Sequence, residues 1–404
     1  MIDTIRINKA WKNIKIIKKV FDLFGHKNIF FVGGAVRDCI LGQPLRDIDL
    51  AVKNKVSDVK KKLHKAKINF VDNSKGHGTV SLIYKENSIE ITSMRVDKET
   101  FGRKAKVEFT DSIYLDSCRR DFTINSIYSS FNGEVYDPHK GIYDLEKRKV
   151  RFIGEPLTRI KEDKLRVLRY YRFLSYYGFN NNTLDKRSMN AARDCFNLIK
   201  GISVERKSEE FFKLIMGRFA ADTIILMKKQ KVLNFLIAGL GKIKNVDIKA
   251  LDDLKYEKMI RTSYLLIISK FNLEKIRACL HLSKKDYLHM KEVCENFKSL
   301  KINSVIEARL AKYKLGKHIS TSIYYLKCFI DKKNVNKKII YILEKWNVAE
   351  FPVNGKDLQK IGMVEGTKMG LILAKVRLWW QNKDFKPNKK QCLRKCKALM
   401  SINT

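Results

Sequence analysis

Proline is scarce in this 404-residue chain, with five in all. A chain so poor in the residue that breaks helices has room for long ones, and it is neither a proline-rich linker nor an extended rod. Acidic residues are also under-represented: 43 Asp and Glu stand against 83 Lys and Arg, a formal charge of +40. That surplus exceeds what solubility needs and suits a polyanionic partner, whether RNA, DNA or an acidic membrane surface. Lys, Ile and Asn are abundant together, a bias that a low-GC gene imposes without function, so charge serves as support only. No run reaches the roughly 18 apolar residues of a membrane span, and the nearest, TIILMKKQKVLNFLIAGL, is interrupted by KKQK. Eight cysteines lie scattered without framework spacing, which excludes a disulfide scaffold and fits reduced thiols in the cytoplasm. Cys392 and Cys396 are the one close pair, and with no histidine beyond His318 they read as ordinary thiols on a helix face rather than a zinc site.

Length predicts two or three packed units, and a hydrophobic fraction of 45% with 10% aromatics supplies their cores. The opening RINKAWKNIKIIKKVFDLFG is basic and amphipathic, as transit peptides are. It also holds Asp22, ends at a C-cap glycine, Gly25, and runs into a strand, so it reads as the first helix of the fold. Residues 28 to about 137 carry short β-type runs (NIFFV, RDIDLAV, NFVD, TVSLIY, SIEITSM, KVEFT and the hairpin NGEVYD) with glycines between them. From about residue 157 the runs lengthen to helical period, as in LTRIKEDKLRVLRYYRFLSYYGF and VERKSEEFFKLIMGRF. The expectation is an α+β unit followed by helices only.

The strand NIFFV ends at Gly33-Gly34 and is followed by the helical AVRDCILG. Amides at that helix start, Gly34 among them, offer a seat to a phosphate, and Arg37 adds a charge-assisted contact. Alone, a Gly-Gly turn is more often a tight connection. RDIDLAV then places Asp47 and Asp49 on one face of a strand, about 7 Å apart, with Ile48 and Leu50 on the other. Two carboxylates on an apolar strand are costly unless a cation compensates, and a divalent metal is the simplest one. The alternative is an edge strand with two solvated acids. Glu90 points opposite to Ile89 and Ile91 and is a candidate third carboxylate.

A Gly-Gly turn, a basic residue and Asp-x-Asp, spelled FFVGGAVRDCILGQPLRDIDLAV, resemble the polymerase β-related nucleotidyltransferases. Within that superfamily the chain resembles the class II tRNA nucleotidyltransferases and bacterial poly(A) polymerases. The resemblance continues in order through SIEITSMRVD, CRRDFTINSIY, YDPHKGIYDLEKRKVRFIGEP, RIKEDKLRVLRYYRF and VERKSEEFFKLI, over residues 28 to 216. It implies an α+β fold: a polymerase-β-like head with a five-stranded mixed sheet (residues 1–140), then an all-helical neck (141–215), body (216–300) and tRNA-binding tail (301–404). It implies that Asp47 and Asp49 hold catalytic Mg²⁺, and that Arg120 of RRDFTIN, Arg169 and Arg172 contact nucleotide. Arg119 and Asp121 read as an Arg-Asp pair fixing head to neck.

In KEDKLRVLRYYRF, Asp163 and Arg166 fall at i and i+3, on one face of the expected helix. An acceptor beside a donor fork complements cytosine and adenine, each of which sets an exocyclic amino donor next to a ring-nitrogen acceptor, whereas uracil and guanine present a carbonyl there. The plain alternative is a surface salt bridge. Arg169 and Arg172 follow on the same spiral, within reach of phosphates.

The activity implied is template-independent addition of C, C and A to the 3′ end of tRNA from CTP and ATP, with no membrane and no obligate protein partner. The rivals are a poly(A) polymerase or an enzyme adding only the terminal A, and an inactive RNA-binding protein on the same scaffold. The long stretch DKETFGRKAKVEFTDSIYLDSC speaks against A-only addition, which the resemblance ties to a shortened loop, and intact Asp47 and Asp49 speak against inactivity. FPVNGKDLQKIGMVEGTKMGLILAKVRLWW resembles a tail segment of tRNA nucleotidyltransferases, with Glu365-Gly366-Thr367 in place of the usual Gly-Pro. The basic end KPNKKQCLRKCK suits an RNA backbone or a solvated helix, and no HD-type phosphohydrolase pattern follows the body.

Overall fold

The computed structural model describes residues 10–44, 47–72, 78–84, 87–101, 104–178, 184–237, 240–254, 257–270 and 273–401. They form two compact units, Met1–Lys258 with Glu274–His281, and Met259–Leu273 with Leu282–Thr404.

The first unit opens with helix α1 (Lys15–Phe24), closed by Gly25 in the left-handed region at φ 83°, as its sequence predicts; the stretch before residue 10 lies outside the described residues. Strands β1 (Ile29–Val32), β2 (Asp47–Val52), β3 (Phe70–Asp72), β4 (Thr79–Tyr84), β5 (Asn87–Ser93), β8 (Tyr128–Ser129) and β9 (Val135–Tyr136) join in one sheet of order β3-β4-β5-β2-β1-β8-β9. β2 and β5 run parallel and every other neighbour antiparallel. The sheet thus has seven strands where five were expected. The added pair is the short β8–β9 hairpin, which takes up the edge of β1 that would otherwise expose unpaired backbone groups.

Alternation sorts the two faces. Ile48, Leu50 and Val52 of β2 and Ile89 and Ile91 of β5 pack with Val20, Phe21 and Phe24 of α1 and with Val59 and Leu63 of helix α3 (Val56–Lys65). A buried phenylalanine such as Phe21 is worth about 3 to 5 kcal/mol against truncation to alanine. The opposite face carries Phe30, Val32, Ala51 and Tyr128, and beside them the carboxylates of β2. Between Ser93 and helix α4 (Ile113–Cys118), the expected β-type run KVEFT is strand β7 (Lys104–Phe109), and it pairs with an unexpected partner, β6 (Arg95–Phe101), as a separate ribbon. All further elements are helical.

The expected long helix through LTRIKEDKLRVLRYYRF is broken. Helix α6 (Pro156–Glu162) ends before Asp163, whose backbone is extended at φ −141°, and helix α7 (Arg166–Tyr177) starts afresh. Asp163 is the cause: its Oδ1 accepts from the Leu165 amide at 3.1 Å, a local bond that competes with helical continuation. Asp163 and Arg166 therefore do not share a helix face.

The second unit is helical throughout its described residues. Val353, Leu358, Met369, Ile372, Val376 and Trp380 form a core that also buries Cys392 and Cys396, so the cysteine pair is packing. Reciprocal caps at Asn354/Asp357 and Asn388/Gln391 start two of its helices, and Gly366 precedes the helix Thr367–Asn382. Among the described residues no helix is long and apolar enough to cross a membrane.

Candidate active site

The carboxylate face of β2 opens on a cavity of about 550 Å³ in the first unit. Gly33, Gly34, Arg37, Asp47, Asp49, Arg120, Asp163, Arg166, Arg169 and Arg172 all line it, so the site residues named from sequence meet in one place, apart from the candidate third carboxylate Glu90. Arg206 completes a set of six arginines against five aspartates on that wall, a composition suited to an anion carrying its own counter-cation.

Gly33 turns the chain from β1 into helix α2 (Gly34–Ile40) at φ 65°, a backbone that favours glycine. A side chain there would come within 3.8 Å of the Arg120 guanidinium and 3.9 Å of the Asp49 carboxylate. Arg37 is almost wholly buried: it donates to Asp38 at 2.9 Å and to Asn125, and lies 4.2 Å over the Tyr177 ring.

Asp47 is exposed and Asp49 half-buried, while Ile48 and Leu50 are buried behind them. Burial raises the Asp49 pKa, and Glu90 and Asp47 push the same way against the pull of Arg120. Such a carboxylate asks for a cation, and all-oxygen donors suit a hard divalent ion. Glu90 stands opposite Asp49 in the register. Even so, among the described residues no three His, Cys, Asp or Glu side chains gather into a metal-holding group, and the Glu90 carboxylate instead accepts from the Ser81 hydroxyl at 3.5 Å.

Asp116, fully buried and not singled out from sequence, organises the arginine side. It takes Arg119 at 2.8 Å, Arg120 at 3.2 Å and the Tyr128 hydroxyl at 2.6 Å. Burial alone would raise its pKa, but Arg120 and Arg119 with the Tyr128 bond outweigh it and hold it at about 2. Arg119 thus pairs with Asp116 and not with Asp121. Asp121 instead pairs with Arg169 of α7 at 2.5 Å, and its pKa is driven down because Arg169 and Asn125 outweigh burial.

Residues 163 to 172 differ from expectation in their partners. Arg166 pairs with Glu162 at 2.6 Å and donates to the Arg159 carbonyl at 2.8 Å, whereas Asp163 pairs with Arg206 at 3.2 Å. Arg172 lies 2.6 Å from Glu210 and 4.2 Å over the Phe173 ring. Arg206, on helix α9 (Val204–Ile215), and Asn125 lie inside the motifs VERKSEEFFKLI and RRDFTIN, yet no spacing rule singles them out there. Asp116 and Glu162 do, as acids three or four residues before an arginine.

Residues 29–151 match the Poly A polymerase head domain family, and residues 182–242 match the family described as a probable RNA and SrmB-binding site of polymerase A. The CCA-adding enzyme of Bacillus pumilus is 33% identical over 350 residues, covering 81% of this chain and 82% of the relative. The chain belongs to the CCA-adding enzyme family. The mitochondrial CCA tRNA nucleotidyltransferase 1 of Danio rerio is 29% identical, with 89% of this chain and 85% of the relative aligned. The fold is that of the Bacillus stearothermophilus CCA-adding enzyme solved with CTP, at a TM-score of 0.80 and 24% identity over 98% of both chains. A Thermotoga maritima CCA-adding enzyme complexed with tRNA follows at 0.62, with 18% identity and 98% of both chains covered. The family's fold, a mixed-sheet head with a helical remainder, is the one described above.

Proposed function

We propose that the chain adds C, C and A to the 3′ end of tRNA from CTP and ATP without a nucleic-acid template. One observation carries the reading: a single cavity gathers the Asp47/Asp49 pair, a half-buried arginine set and the Asp163/Arg166 pair. Membership of the CCA-adding enzyme family supports it. Arg37, Arg120, Arg169 and Arg172 with the Gly33-Gly34 turn take the triphosphate. Asp163 accepts from the exocyclic amine of C or A and Arg166 donates to the neighbouring ring nitrogen. Asp47 and Asp49 are the residues that would hold Mg²⁺, which when bound lowers the pKa of the tRNA 3′-hydroxyl and neutralises charge on the leaving pyrophosphate. The hydroxyl attacks the α-phosphate in line, forming the new phosphodiester as pyrophosphate leaves.

Head, neck, body and tail at 1–140, 141–215, 216–300 and 301–404 are the proposed division of labour, with RNA held by the basic tail. The β6–β7 ribbon fills the stretch whose shortening goes with A-only addition and so supports full CCA synthesis. Free cysteines support a reducing compartment such as the cytoplasm. The test is incubation with tRNAs ending before CCA, after the first C and after the second C, each with CTP or ATP alone, followed by product sequencing. C is expected on the first two and A on the third only; runs of A on all three would make the chain a poly(A) polymerase.

A further inference from the structure

Behind Arg37 lies a second cavity of about 480 Å³, also within the first unit, and the two cavities share Asp38. Its far wall is built by close packing at the end of α7. A Cβ on Gly217 would meet the Ser175 carbonyl oxygen at 2.4 Å, so only glycine lets this loop touch α7. The Phe219 amide then bonds Ser175 O at 2.7 Å, which lays Arg218 and Phe219 beside Tyr176 and Tyr177 on the cavity wall. Opposite, Arg148 follows helix α5 (Gly141–Glu146) in the left-handed conformation at φ 52°. Its guanidinium lies 5.6 Å from the Phe219 ring, and that of Arg218 lies 5.5 Å from the same ring.

Among the described residues neither Arg148 nor Arg218 has a carboxylate in ion-pair range. That contrasts with the first cavity, where Arg120, Arg166, Arg169, Arg172 and Arg206 each have one. Two carboxylates share the wall. Asp38 is already engaged, by Arg37 at 2.9 Å and by the Tyr177 hydroxyl at 3.2 Å, which leaves Glu146 against two arginines. A concave site of this volume takes a nucleotide-sized ligand rather than a strand, arginine forks suit phosphate oxygens, and the aromatic wall suits a base.

We propose that this cavity is a second polyphosphate site, filled either by pyrophosphate or by the triphosphate of a second nucleotide. The identity of those ligands rests on the nucleotide-addition reading; the site itself rests on Arg148, Arg218 and Phe219.

The experiment is equilibrium dialysis of the full chain with radiolabelled pyrophosphate and, separately, with a non-hydrolysable ATP analogue. Wild type is expected to take up two equivalents per chain of at least one probe, and the exposed double variant Arg148→Ala/Arg218→Ala only one. Uptake of the second equivalent with pyrophosphate identifies phosphate as sufficient; uptake with the analogue alone identifies a nucleotide. Arg148→Lys/Arg218→Lys, which keeps the charge, is expected to retain the second equivalent, and this separates ligand contact from misfolding. One equivalent in wild type, or two in the alanine variant, overturns the proposal. So does unchanged stoichiometry with weakened tRNA binding, which would make the arginines an RNA-backbone patch. Two equivalents in a wild type that adds no nucleotide to tRNA would overturn the function reading and leave this site standing.

Discussion

The carboxylate of Asp163 lies 3.2 Å from the guanidinium of Arg206, a cation supplied by a helix 43 residues downstream. The proposed base-reading acceptor is therefore held from α9, while the proposed donor, Arg166, is held by Glu162 of α6. In the proposed function each of these groups is aimed by its own partner, which would make selection a property of two ion pairs and not of one helix face.

Asp163→Ala is expected to slow C and A addition and to relax exclusion of UTP and GTP, because it removes the repulsion of a base carbonyl as well as the attraction of the amine. Arg206→Ala leaves Asp163 charged but loosely aimed, and the expected result is a loss of about tenfold in kcat/KM for CTP and ATP with partial relaxation. Single-nucleotide extension with all four triphosphates reads both. Equal losses for all four, with the C and A preference intact, would make the pair a structural bridge and place selection elsewhere.

Asp47→Ala or Asp49→Ala is expected to abolish addition of both C and A while tRNA affinity stays within a few-fold of wild type. In the proposed function both carboxylates hold metal rather than RNA, and filter binding beside the extension assay separates the two effects. Turnover retained in either variant would remove the two carboxylates from the catalytic centre.

Elements with strong local codes were legible: the alternation that turns Asp47 and Asp49 away from Ile48 and Leu50, the Gly25 cap of α1, and the buried Cys392/Cys396 face. The break at Asp163 was not, because the helical period of the flanking residues continues across it while one side-chain bond to the Leu165 amide decides against it. Partner choice was equally hidden. Arg206 and Asn125 reach the site through tertiary packing, which spacing along the chain does not record. Of the ribbon, KVEFT foretold β7 while β6 escaped, because RVDKETF is polar and lacks an apolar face.

Stability in acid should carry the signature of Asp116. Its pKa is held at about 2 in the folded chain against an ordinary 3.8, so the stabilisation is complete above the unfolded value and is lost as pH falls from about 4 through 2. The share at neutral pH is on the order of 2 kcal/mol. Urea midpoints measured across that range should fall for wild type and fall less steeply for Asp116→Asn, which starts lower because Arg119 and Arg120 lose their buried partner. Parallel slopes would show that Asp116 titrates normally.

tRNA binding should weaken by orders of magnitude between about 50 and 200 mM salt if six or more phosphates are neutralised. A flat response would mean that the +40 charge is compositional.

Arg159 joins the two halves of the site. One of its terminal nitrogens donates to the backbone carbonyls of both Arg119 and Arg120, the latter at 2.7 Å, and the other pairs with Glu162. Arg166 reaches the same Arg119 carbonyl at 3.3 Å while bonding Glu162. The segment that presents Arg120 beside Asp49 is thereby tied to the junction of α6 and α7, which presents Asp163 and Arg166. Cutting the tie should disturb base choice and phosphate placement together, which no substitution confined to one end does. Arg159→Ala is expected to lower kcat for C and A addition by about a hundredfold, the scale of a misplacement near 1 Å, and to admit UTP and GTP. Arg159→Lys keeps the charge but cannot span two carbonyls and a carboxylate, so it should restore little. Full activity in Arg159→Lys would mean that charge alone matters and that the fork to Arg119 and Arg120 does not set the geometry.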